Sequence, residues 1–135
     1  MRPFRNVQIE PIDWGNRSML EVPKIAFVDV DDTLVRSFGA KRIPMAKSVD
    51  FVRKLKAAGA LLYCWSSGGA EYARATAEEL ELVECFEAFL PKPQLLLDDI
   101  SIGHWNLLEI HPNEAASAQG DLLLIEISRA NGKTV

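Results

Sequence analysis

The rhythm of apolar and polar positions changes several times along the chain. In "IAFVDV", residues 25 to 30, five of six positions are apolar or aromatic. A continuous run of this kind predicts a strand covered on both faces. "RSFGAKRIP" breaks the pattern and reads as a loop, with Pro44 placed to open a helix at its first turn. Phe51, Val52, Leu55 and Ala58 then recur at helical spacing, Arg53, Lys54 and Lys56 fall on the opposite face, and Gly59 is a natural stop. "ALLYCW", 60 to 65, predicts a second buried strand. After "SSGG", the spacing of Tyr72, Ala73, Thr76, Ala77 and Leu80 predicts a helix from near Gly69 to about Leu80. "FEAFL" predicts a short third strand, "PKP" a loop, and "QLLLDD" a fourth strand. In the tail, Asp121 is placed to cap a helix through "LLLIEISRANG" with Gly132 as its stop. The same run also fits an edge strand, and the helix is the preferred reading. Residues 1–23, broken by Pro3, Pro11 and Pro23, give only a possible short strand in "VQIEPIDW".

Strands alternating with helices build βαβ units. The expected fold is therefore α/β: a Rossmann-like, doubly wound, mostly parallel sheet with helices on both faces. The length of 135 residues fits a single domain, 1–135, under a prior of about 150 residues per domain. In such sheets ligands sit beyond the carboxyl ends of the strands. The polar residues at three predicted strand ends, Asp29/Asp31/Asp32, Ser66/Ser67 and Asp98/Asp99, are therefore expected to converge.

Composition narrows the setting. A 48% hydrophobic and 25% charged chain is an ordinary globular mix. The net charge of -4 argues against a broad nucleic-acid footprint, though it leaves room for a local basic groove. Two cysteines imply no disulfide framework and point to a reducing, cytoplasmic setting. No run reaches the ~20 apolar residues of a membrane span, so no membrane association is expected.

Carboxylates crowded at a buried strand end repel one another, and a hard divalent cation relieves that repulsion. Magnesium takes oxygen ligands and is often held by one or two carboxylates plus a substrate phosphate. Asp29 with Asp98 and Asp99 would make such a site. Asp29 and Asp31, two apart in an extended segment, project to one side. One can attack phosphorus while the other handles the leaving group's proton. Ser66 or Ser67 can donate to a phosphoryl oxygen, and Gly68 lets backbone N–H groups approach an anion at a helix start. Lys92, held between Pro91 and Pro93, can offset the charge of nucleophile and phosphate. A calcium loop of the EF-hand type starting at Asp29 would need Gly at residue 34 and Glu at residue 40, where the chain has Leu34 and Ala40. Structural roles are expected for His104 and His111.

In this order, "FVDVDDTLV", "LLYCWSSGG", the lysine of "PKP" and "LLLDD" resemble the four motifs of the haloacid dehalogenase superfamily of phosphohydrolases, over roughly Lys24 to Ile100. The resemblance implies a magnesium-dependent phosphatase acting on a phosphorylated substrate. Asp29 would be the nucleophile and Asp31 the general acid/base. Thr33 would steady the Asp loop, Ser66 (with Ser67 as second choice) would bind phosphate, and Lys92 would fix nucleophile and phosphate. The metal ligands it implies are Asp29, the backbone carbonyl of Asp31, and Asp99 with Asp98 adjacent. Only 27 residues, 34 to 60, and 24 residues, 68 to 91, fill the gaps where a cap domain would sit. The chain thus resembles the capless members, which often act on large substrates or close the site by oligomerisation. The alternatives are a silent member that binds metal or a phosphorylated partner without turnover, and a phosphotransferase.

Overall fold

The computed structural model describes residues 24–130. The short strand considered in "VQIEPIDW" and the stop at Gly132 lie outside the described residues. The chain runs β1 (Ile25–Val28), β2 (Val35–Phe38), β3 (Lys41–Pro44), α1 (Ala46–Ala58), β4 (Leu61–Ser66), α2 (Ala70–Glu79), β5 (Phe86–Pro91), α3 (Pro112–Ala115) and α4 (Ala118–Ala130), with single 3-10 turns at Val83–Cys85 and Ile102–His104. This is a mixed α/β fold. Its main sheet is parallel, in the order β1-β4-β5, and a separate antiparallel hairpin pairs β2 with β3.

Two βαβ units make the sheet, one through α1 and one through α2. In β4, Leu62, Cys64 and Ser66 are buried. Leu62 and Cys64 join Val49, Phe51, Val52, Leu55 and Ala58 of α1 and Ala73 and Ala77 of α2 in one core. The apolar stripe expected on α1 is thus the face it buries. Gly59 ends the helix in the left-handed region at φ 103, a conformation that favours glycine. Gly69 precedes α2, also at positive φ, and gives it no side-chain cap.

Five expectations change. The loop "RSFGAKRIP" is a hairpin: β2 and β3 flank a two-residue turn with Gly39 at its first position, φ 62, the requirement of a type II′ turn. Pro44 does not open α1. It ends β3, where the edge of a two-stranded ribbon tolerates a residue without an N–H, and Met45 is the N-cap. Among the described residues β1 is not covered on both faces: it stands at the sheet edge, pairs only with β4, and exposes Ile25 and Phe27. "QLLLDD" is not a strand: Leu95 and Leu97 are 88% and 98% exposed in an irregular segment. Only Lys92 and Pro93 separate β5 from Gln94, whereas a parallel neighbour needs a crossover of about a dozen residues. The tail is the helix α4, with Asp121 in its first turn rather than at its cap.

Candidate active site

The parallel register brings three strand ends to one rim. Val28 pairs with Cys64, and Ser66 pairs with Pro91, so Asp29, Ser66 and Lys92 stand at the carboxyl ends of β1, β4 and β5. The backbone reinforces this, because Lys92 N–H donates to the Ser66 carbonyl at 2.9 Å.

The loop after β1 explains the crowded acids. Val30, Leu34 and Val35 are buried and anchor it in the core. The Val30 carbonyl accepts from the N–H groups of Thr33, Leu34 and Val35. Asp32 turns the chain at φ 59, a left-handed conformation that a short polar side chain tolerates better than most. Its N–H donates to the Val35 carbonyl at 2.7 Å. With the apolar residues pinned inward, Asp31 and Asp32 are left exposed and Asp29 half-buried.

Asp29 is loosely held on both sides. Lys92 Nζ lies 3.4 Å from Oδ1, and the Thr33 hydroxyl donates to Oδ2 at 3.4 Å. The second distance is long for a hydroxyl–carboxylate bond. A pair whose side chains are about a third exposed stabilises the fold by about 0–1 kcal/mol. Its chief consequence is positional: a cation beside a carboxylate whose oxygens stay weakly engaged. Lys92 Nζ also stands 6.0 Å from the Trp65 ring centroid, at the limit of a cation–π contact. Cys64, the β4 partner of Val28, has its thiol pushed up to about 12, first by burial and then by the charge of Asp29.

Asp31 has a firmer partner. The Tyr72 hydroxyl donates to its Oδ1 at 2.6 Å. Tyr72 lies in the first turn of α2, and its phenol is held above its usual range chiefly by that hydrogen bond. Arg42, on β3, closes the arrangement. One guanidinium nitrogen donates to Tyr72 Oη at 3.1 Å and to Thr76 Oγ1 at 2.6 Å, and the other lies 2.8 Å from both oxygens of Glu79. Tyr72, Thr76 and Glu79 are spaced along one helix stripe that a planar guanidinium can read. Sequence reasoning missed Arg42, lost in a supposed loop, and took Tyr72 only as a helix-face residue. The polar stripe 72-76-79 beside "SSGG" was the available signal.

Ser66 is buried, and its Oγ accepts from Gly68 N–H at 3.0 Å. Ser67 and Gly68 are exposed just before α2. Asp98 and Asp99 do not join Asp29 and Asp31 in a ligand cluster: among the described residues no group of three or more His, Cys, Asp or Glu is placed to hold a metal ion. Asp98 Oδ1 instead accepts from Ile100 N–H at 2.8 Å within its own exposed segment. Asp29 and Asp31 remain as oxygen donors, a set that suits magnesium when waters and a substrate phosphate complete its shell. His111 caps α3, accepting from Asn113 N–H at 3.1 Å within a capping box. Two open clefts beside α1, of about 410 and 260 Å³, contain none of these rim residues. No helix among the described residues is long and apolar enough to cross a membrane.

No protein-family model, curated protein or solved structure matches this chain.

Proposed function

We propose that the chain is a magnesium-dependent phosphomonoesterase of the haloacid dehalogenase type, without a cap domain, working through a phosphorylated Asp29. The observation that carries this reading is the placement of Asp29 beside Lys92 and Thr33 at the carboxyl rim of three parallel strands, with Asp31 two residues on. The parallel β1-β4-β5 order with helical crossovers fits one half of a Rossmann-like sheet; the doubly wound form would add strands on the far side of β1, where the order reverses.

An Asp29 oxygen attacks phosphorus, and the ester P–O bond breaks as Asp31 gives its proton to the departing oxygen. In the second half Asp31 takes a proton from water. The water oxygen bonds to phosphorus, and the Asp29–phosphorus bond breaks, releasing phosphate. Lys92 offsets the charge gathered on nucleophile and phosphoryl group. The uncapped start of α2 presents N–H groups to the phosphoryl oxygens, while Gly68 and Gly69, whose N–H groups donate to Ser66, shape the turn that leads into it. Magnesium, held by the Asp29 carboxylate and the Asp31 backbone carbonyl, supplies charge neutralisation when bound. The two free cysteines are compatible with a cytoplasmic setting.

Hydrolysis of p-nitrophenyl phosphate tests this reading. Turnover is expected with magnesium and not with EDTA, and Asp29→Asn should reduce it to background while the circular dichroism spectrum stays native. Retained turnover in that variant refutes the nucleophile. The engagement of Asp98 by its own segment, outside any described ligand cluster, favours a second reading, a silent member that binds a phosphorylated partner without turnover. Folded wild-type protein with no magnesium-dependent hydrolysis would select it.

A further inference from the structure

The hydrogen bonds around Tyr72 have only one consistent direction. Arginine has no acceptor, so Arg42 must donate to Tyr72 Oη. Tyr72 has a single hydroxyl proton, and the 2.6 Å contact sends it to Asp31 Oδ1. Thr76 donates to the Tyr72 carbonyl at 3.0 Å, so its oxygen is likewise an acceptor for Arg42, and the guanidinium cannot be turned round. The ring is held as well as the hydroxyl. A Cβ at Gly68 would stand 2.9 Å from Tyr72 Cδ2, so the absence of a side chain there lets the ring lie against the loop.

We propose that Tyr72 is a positioning residue that occupies Oδ1 of Asp31 and so leaves Oδ2 as the oxygen that carries and delivers the proton, with Arg42 setting the direction. The inference rests on the phosphatase reading and deepens it. Oδ1 accepts from Tyr72 whether Asp31 is ionised or protonated, since a carbonyl oxygen and a carboxylate oxygen both accept. The contact therefore persists through both halves of the cycle. In the first half the Oδ2–H bond breaks and the proton moves to the leaving oxygen as the ester bond opens. In the second, Oδ2 takes a proton from water as the water oxygen bonds to phosphorus. Tyr72 gives up no proton in either step.

The test compares two aryl esters in the presence of magnesium. p-Nitrophenolate leaves with little need of a proton, whereas phenolate needs more help. The ratio kcat/KM reports the first irreversible step. Tyr72→Phe should lower kcat/KM for phenyl phosphate by about tenfold and for p-nitrophenyl phosphate by less than about threefold, both smaller than the ~10²–10⁴-fold of a whole general acid because Asp31 itself is kept. Equal losses on both esters, or none, would overturn the role of Tyr72 while leaving the phosphatase intact. Wild-type protein inactive on both would remove the phosphatase reading, and this inference with it.

Discussion

At the scale of single residues, the rim combines tight and loose restraint. Val30 and Leu34 are fully buried, yet the carboxylates among them face solvent. Asp29 keeps long contacts to Lys92 and Thr33, which suits a nucleophile, while Asp31 is fixed at 2.6 Å, which suits a group that must aim a proton. Cys64 gives a prediction of its own. Its thiol titrates near 9.0 when unfolded and is pushed up to about 12 in the fold. Between those values the unfolded chain binds fewer protons than the native one, so stability falls as pH rises, by up to about 1.4 kcal/mol per pH unit from this group. Tyr72 and Lys54 are also raised, Lys54 by its hydrogen bond to Asp50, and they add the same sign at higher pH. Urea midpoints should decline from pH 8.5 to 10.5, and Cys64→Ala should flatten the early part of that decline. A flat or rising profile in the wild type would show that the thiol is not so buried.

At the scale of elements, the hairpin of β2 and β3 is an attachment, not part of the main sheet, and Arg42 joins it to α2. Arg42→Ala removes contacts to Tyr72, Thr76 and Glu79 together. It should loosen the hairpin by about 1–3 kcal/mol, since the cost includes polar groups left without their donor. Amide exchange should quicken across 35–44 and stay unchanged in α1. Uniform quickening would mean that the hairpin unfolds only with the whole domain. The sequence already carried α1, α2, β4 and β5, because each is set by a local run or period, and α1 also by its glycine stop. It also carried the meeting of Asp29, Ser66 and Lys92, because parallel strands carry their ends to one side. The Arg42–Tyr72–Asp31 chain was hidden because it joins residues 30 and 41 positions apart, and such contacts leave no local period. The strand read into "QLLLDD" was a composition argument that ignored the length of chain a crossover needs.

At the scale of the molecule, one parallel sheet places a carboxylate, a lysine and a glycine-rich helix start on the same rim, and the hairpin reaches over to α2 beside the second carboxylate. That convergence carries the phosphatase proposal, and a covalent intermediate on one named atom group would be its sharpest consequence. The protein should be incubated with acetyl phosphate and magnesium, quenched in acid, and treated with borohydride, which reduces an aspartyl phosphate to homoserine. Peptide mass spectrometry then reads the position. Homoserine at residue 29 is the predicted result. Homoserine at another aspartate, or none at residue 29 from protein that hydrolyses p-nitrophenyl phosphate, would contradict the account.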